Sequence, residues 1–264
     1  MIFFARGGTD GVVVRLVGKW LHAGVLEGGV VHRSDRGTPQ GGVVSPLLAN
    51  IFLHEALDTW WVKDVLPRLR GRGGLVRYAD DFVMVFSRRE DAERVRAALP
   101  KRMARYGLTV HPEKTRLVRF ERPRGDGKGG KPESFDFLGF TYFWTRTRRG
   151  RYQFRRKTAK SRFSRALRSL NEWLRKVRHW KVSAQARGLG RKLLGHFSYY
   201  GVAGNSDSIN RFHYEARRLW RKWLSRRSQR AWLTWEKFNR LLSRYRLPRA
   251  RLRPRELQLR LANL

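Results

Sequence analysis

The chain has 264 residues, room for one large domain or two modest ones, and its 41% hydrophobic and 12% aromatic content is enough to build a core. Its 59 Lys and Arg against 21 Asp and Glu give a formal net charge of +38, a field that attracts polyanions. With no cysteine the chain has neither disulfides nor thiolate metal sites, and no apolar run approaches the roughly 18–20 residues of a membrane span.

The charge is unevenly spread. Residues 1–140 carry 24 Lys/Arg against 16 Asp/Glu, whereas residues 141–264 carry 35 against 5, a net of +30. An enzyme-like first part and a polyanion-gripping second part account for this split. The 10 Trp and 8 Tyr supply stacking surfaces, so nucleic acid is the first partner to consider and an anionic membrane surface the second. Met1 to Gly8 lacks a basic segment followed by an apolar one, which argues against a secretory signal and points to the cytoplasm.

In chain order, Val12 to Leu21 reads as a short buried helix ending near Gly24, and residues 33–44 as a Gly-, Thr- and Pro-containing loop. Ser45-Pro46 opens a helix, with Ser as N-cap and Pro at the first position; Leu47, Leu48, Ile51, Phe52 and Leu57 carry its stripe toward Trp61. Leu75-Val76 and Phe82 to Phe86 flank Asp80-Asp81 as two strands of a hairpin. Ser87-x-x-Glu90 predicts a capping box for a helix bearing Ala92, Val95, Leu99 and Met103, with a kink or break at Pro100 and an end at Gly107. Leu108 to Val110 and Thr115 to Phe120 read as strands around a turn at His111-Pro112. An exposed loop fills 121–133, and a hairpin follows from Phe135 to Arg156, turning near Arg149-Gly150. The remainder is helical. Stripes recur at Phe163 to Val177, Leu189 to Tyr200 and Ile209 to Trp223, and Thr234 caps a last short helix.

Three local signals carry chemistry. In Tyr78-Ala79-Asp80-Asp81, adjacent like charges repel, so a chain that keeps them at a hairpin tip has a use for a cation there. Magnesium suits them, since it takes oxygen ligands and bridges carboxylates to substrate phosphates; an ordinary polar turn has the same local composition. In Gly37 to Asn50, glycines beside Gln40 let the backbone approach a ligand and an amide reach a base or sugar edge, although a plain loop and helix cap would look alike. Lys114, after Gly107-Leu108, is a cation on a strand-turn element, which read alone is a solvated charge.

Together and in this order the three resemble the palm of a reverse transcriptase, most closely the proteins encoded within bacterial group II introns. Gly37-Thr38-Pro39-Gln40-Gly41-Gly42 with Ser45 to Asn50 resembles that family's motif B, and Tyr78 to Asp81 its metal-binding motif C. Gly107-Leu108 with Lys114-Thr115 resembles motif D, and Phe135-Asp136-Phe137-Leu138-Gly139-Phe140 the primer grip. His196 to Val202 with Asn205-Ser206 resembles the maturase, or thumb, region. The likeness runs from about residue 11 to residue 250.

The resemblance implies an α+β fold: a partial reverse-transcriptase palm over 1–157, an all-helical thumb/maturase domain over 158–228, and a basic C-terminal helix and tail over 229–264. It implies RNA-directed DNA polymerisation with Mg2+ held by Asp80 and Asp81, Lys114 as general acid, Gln40, Gly41 and Gly42 at the nucleotide and template site, and Leu138 and Gly139 at the primer end. Implied partners are group II intron RNA, a template–primer duplex and dNTP, with no membrane. The family's first catalytic aspartate belongs to a motif that Met1 to Thr9 does not resemble, and Asp10 aligns after it. The chain therefore reads as N-terminally truncated, lacking the fingers and one metal ligand, with little or no activity expected alone and a separate N-terminal half as one candidate partner. No His/Cys-rich segment of a DNA endonuclease is visible. A non-catalytic RNA-binding splicing cofactor is the alternative; a generic basic coat protein explains the charge but not the 37–50 run or the acidic turn.

Overall fold

The computed structural model describes residues 10–21, 25–27, 30–32, 45–123, 132–228 and 232–253. The chain mixes helices with small antiparallel sheets, and it divides into two compact units after Leu117. The strands beyond Phe135, expected as the end of a palm, thus belong to the same compact unit as the helices that follow them.

In the first unit, helix α1 (Gly11–Leu21) precedes a short antiparallel pair, β1 (Val25–Glu27) and β2 (Val30–His32); it is not the buried helix expected, since Val17 is covered but Val12 and Leu16 are exposed. Helix α2 (Ser45–Leu53) begins where the Ser-Pro signal put it, with Pro46 in the first turn where its missing N–H costs no bond. The helical path does not stop at Trp61. It passes through π-helical turns (His54–Thr59 and Trp61–Val65) into a 3-10 turn ending at Arg68. Wider π turns alter the backbone pairing, and Arg102 supplies donors here, its Nε bonding the Ala56 carbonyl at 3.0 Å.

Strands β3 (Gly73–Tyr78) and β4 (Asp81–Phe86) form the expected hairpin, with Leu75 opposite Met84 and Arg77 opposite Phe82. Leu75, Phe82, Met84 and Phe86 pack on a core of Leu57, Trp60, Trp61, Val65, Val95, Leu99 and Met103. Val76, Tyr78 and Val85, of opposite parity, are exposed.

Helix α3 (Arg89–Ala104) runs unbroken through Pro100, where a kink or break was expected. Val95, Leu99 and Met103 are buried on both sides of the proline, and that packing outweighs one missing hydrogen bond. The Ser87–Glu90 capping box does not form: Ser87 Oγ accepts instead from the Arg72 N–H at 2.7 Å. Asp91 is the residue that serves local backbone, accepting from the N–H groups of Arg70 (3.2 Å) and Gly71 (2.8 Å) and pairing with Arg94. Burial works against its charge, but these donors prevail and its pKa is lowered.

The strands expected at 108–110 and 115–120 are absent. Leu108 and Val110 pack into the core without joining a strand, the Leu108 N–H bonding the Met103 carbonyl at 3.0 Å instead, so alternating burial there does not signify a ladder.

In the second unit β5 (Phe135–Phe137), β6 (Phe140–Arg146) and β7 (Tyr152–Thr158) make two successive hairpins rather than one. Stacked rings tie one face together: Phe135 on Tyr142 at 5.2 Å and Tyr142 on Phe154 at 5.7 Å. Four helices follow: α4 (Lys160–Lys176), α5 (Val182–Tyr200), α6 (Ser206–Ser225) and α7 (Trp235–Arg244). Their stripes converge on a core of Leu174, Leu189, Leu193, Ile209, Phe212, Ala216, Trp220 and Phe238, as their spacing predicts. Thr234 caps α7, accepting from the Lys237 N–H at 3.3 Å.

Buried amides in this core are satisfied. Gln185 donates to the carbonyls of Arg178 and Trp180, each at 3.0 Å, and accepts from Trp220 Nε1 at 3.1 Å. Asn205 accepts from the Thr158 N–H at 2.8 Å and donates to the Tyr200 carbonyl at 2.8 Å, joining the end of the sheet to α5. Among the described residues no helix is long and apolar enough to cross a membrane.

Candidate active site

Strand pairing dictates the shape of the acidic turn. Tyr78 pairs with Asp81, leaving Ala79 and Asp80 as a two-residue loop. Hairpin loops of that length follow the strand twist when the first residue has positive φ, a place that favours glycine. Here it is Ala79, at φ 53°. Asp80 sits at the tip and Asp81 opens β4, both exposed. Neither carboxylate enters a hydrogen bond or ion pair among the described residues, so their oxygens are available as ligands.

Arg77, one residue before Tyr78, faces the core side of the hairpin and makes four hydrogen bonds. Its Nε and Nη2 bond Asp58 Oδ1 and Oδ2 at 2.8 and 2.6 Å, a fork-to-fork pair. Its Nη1 reaches Asn50 Oδ1 at 2.9 Å and the Ala79 carbonyl at 3.0 Å. One guanidinium therefore joins helix α2, the π-helical turn after it and the acidic loop. The Arg77 side chain is 14% exposed and that of Asp58 25%. The Arg77 hydrogen bonds hold Asp58 below its ordinary pKa against the opposing effect of burial, and His54 Nδ1 adds a contact at 3.2 Å.

A second two-residue loop, Leu138-Gly139, joins β5 to β6, with Phe137 opposite Phe140. Both residues have positive φ, 48° and 77°. The Leu138 carbonyl accepts from the Tyr199 hydroxyl at 3.0 Å, and the Gly139 carbonyl from the Ala159 N–H at 2.9 Å. A Cβ on Gly139 would stand 3.1 Å from the Tyr200 hydroxyl, so small size and positive φ both require glycine there.

The structure thus puts Asp80 and Asp81 together on one exposed turn. Lys114 lies exposed in the turn after His111, its side chain in no ion pair among the described residues. Gln40, Gly41 and Gly42 lie outside the described residues. Sequence reasoning missed Arg77, Asp58 and Tyr199 as supports of the two loops. A signal existed for Arg77: it occupies the core-facing parity shared with Leu75, and a charge there requires a partner.

The two free carboxylates fit a magnesium ion bound through one or two protein ligands, the rest of its shell being water and substrate phosphate. Among the described residues, no group of three acidic or histidine side chains is arranged to hold a metal by itself.

Residues 11–142, half of the chain, match the profile of the family described as reverse transcriptase (RNA-dependent DNA polymerase). The chain belongs to that family. The group II intron-encoded protein LtrA of Lactococcus lactis subsp. cremoris is 58% identical over 41 residues, 16% of this chain and 7% of that protein. The telomerase reverse transcriptase of Oryzias latipes is 33% identical over 104 residues, 39% of this chain and 9% of that protein. The resemblance to group II intron-encoded proteins drawn from the motifs is supported by the first of these, and the matched segments span under a tenth of either relative.

Proposed function

We propose that this chain contributes the metal-binding turn of a reverse transcriptase that extends a primer on an RNA template, and that it binds group II intron RNA in splicing and mobility. The observation that carries the reading is the pair of unpartnered carboxylates, Asp80 and Asp81, on a strained loop pinned from behind by Arg77. Asp80 would bind Mg2+ directly, with Asp81 as the supporting carboxylate. Bound Mg2+ supplies charge neutralisation of the phosphates during in-line displacement.

The chain's own residues would do the rest. Lys114 would hold the proton donated to the leaving pyrophosphate. Gln40, Gly41 and Gly42 would line the template and dNTP site, and the Leu138-Gly139 loop would seat the primer end. Residues 1–157 would serve as palm and 158–228 as thumb/maturase, with 229–264 adding basic surface in the cytoplasm. A polypeptide supplying another metal-binding aspartate would complete the site. One observation also serves a second reading, a non-catalytic splicing cofactor: the net charge of +30 over residues 141–264 supports RNA binding without requiring catalysis.

Primer extension on an RNA template with Mg2+ tests both. Wild type and Asp80→Ala should be compared, each alone and with a polypeptide carrying the remaining metal-binding motif. Wild type should extend in the completed assembly and Asp80→Ala should not. Extension that survives Asp80→Ala refutes the catalytic reading. RNA binding without extension in either assembly favours the cofactor reading.

A further inference from the structure

The second unit holds a cavity of about 960 Å³ formed by α5, α6, α7 and the segment after α7, within the range of ligand sites. Its wall is built rather than accidental. The segment after α7 is tied back where the Arg253 N–H bonds the Gly201 carbonyl at 2.6 Å, and a Cβ on Gly201 would meet the Arg251 carbonyl oxygen at 2.7 Å.

Three properties define what could fill it. Arg217, Arg246, Arg249 and Arg251 line the cavity and no acidic side chain does. Arg246, Arg249 and Arg251 are exposed and enter no ion pair among the described residues, so an anion meets no competitor. Leu194, Leu242, Leu247 and Pro248 give an apolar wall, which a bare phosphate would leave unused. Finally, the wall carries an exposed polar pair, Arg217 Nη2 donating to Asn239 Oδ1 at 3.3 Å, while His213 Nε2 and Arg217 Nε, one turn apart on α6, are buried behind it. Burial, then the Arg217 charge, lowers the His213 pKa and favours the neutral ring, with one nitrogen able to accept and the other to donate.

A nucleotide is an anion that also carries a flat face and a hydrogen-bonding edge. A single nucleotide displaced from a strand offers all three at once, which paired RNA does not. We propose that this cavity receives one unpaired nucleotide bulged from an RNA helix, its base against Leu194 and Leu247 with its edge toward the Arg217 guanidinium and the Asn239 amide, its phosphate between Arg246 and Arg249. The proposal rests on the reading that this unit binds RNA.

The full chain should be titrated with two RNA hairpins of equal length, one perfectly paired and one with a single-nucleotide bulge carrying 4-thiouridine. Wild type should prefer the bulged hairpin by about tenfold. Leu194→Gln, a change at a position 55% exposed on α5, should remove that preference and leave paired-hairpin affinity within about twofold. Photo-crosslinks from the bulge should fall on residues 239–251 or on α6. Equal affinity for both hairpins, or crosslinks confined elsewhere, overturns the nucleotide site while leaving general RNA binding intact. Failure to bind either hairpin removes the RNA reading itself.

Discussion

Arg77→Ala is the sharpest test of how the acidic turn is held. The change removes two hydrogen bonds from Asp58 and one each from Asn50 and the Ala79 carbonyl. Removing one member of a fully buried ion pair costs about 3–5 kcal/mol, because the other charge is left without compensation. Asp58 keeps a quarter of its side chain in water and still has His54 at 3.2 Å, so about 2–3 kcal/mol is the appropriate expectation. For a chain of this size that corresponds to a fall in Tm of roughly 6–9 °C, read by thermal denaturation. Arg77→Lys should recover only part of it, because a single ammonium cannot span both Asp58 oxygens, Asn50 and the turn carbonyl. The pH dependence gives a second readout. Asp58 has a lowered pKa when folded, so the unfolded chain binds its proton first as pH falls below 3.8. The stabilisation is therefore full above that value and lost as pH falls through the folded pKa, and the gap between wild type and Arg77→Ala should close there. A Tm change below about 2 °C at neutral pH would refute the reasoning, since the four bonds would then carry no net free energy.

His196 is stacked on Phe212 at 3.6 Å, with Nε2 buried and unpartnered, and burial lowers its pKa from 6.5 to about 4. Between those values the unfolded state binds the proton first, so stability declines as pH drops from 6.5 to 4; His196→Phe should flatten that decline in urea midpoints measured across the interval. Leu138→Gly relieves a positive φ that costs leucine about 1–2 kcal/mol, so thermal unfolding should show a higher Tm, and an unchanged or lower Tm would show that the loop is not strained there.

The helices of the second unit were legible because a 3.6-residue stripe has one buried solution, and Leu189, Leu193 and Phe197 occupy it at 0%, 0% and 5% exposure. The acidic hairpin was legible because two apolar, strand-forming runs, Leu75-Val76 and Phe82 to Phe86, meet at the Asp80-Asp81 turn. What the sequence concealed were choices decided by distant partners. Ser87 had the spacing of an N-cap, but the Arg72 N–H was a better-placed donor for its hydroxyl. Pro100 had the chemistry of a helix breaker, yet Leu99 and Met103 each retain only 4% exposure on its two sides. Leu108 and Val110 alternate in burial as a strand would, but alternation does not require a neighbouring strand to pair with, and the Leu108 N–H goes to the Met103 carbonyl. Arg77 lay among apolar residues with nothing local to show that Asp58, 19 positions earlier, would meet it.

The two loops assigned to chemistry share a construction that no motif encodes. Ala79 and Leu138 are the two non-glycine residues with positive φ among the described residues, and each is the first residue of a two-residue hairpin loop. In both, the carbonyl of that residue accepts a hydrogen bond from a long side chain: Arg77 at Ala79, Tyr199 at Leu138. Positive φ costs a non-glycine residue about 1–2 kcal/mol, and an unconstrained loop would relax by rotating the next peptide. The side-chain donor opposes that rotation, because turning the carbonyl away breaks its bond. Glycine at either position would remove the strain and with it the Cβ that restricts the loop to few conformations. Alanine and leucine, clamped at the carbonyl, trade local stability for a loop with one shape, and that trade is reasonable only where the position of the loop, Asp80 in one case and the Leu138 backbone in the other, matters more than its energy.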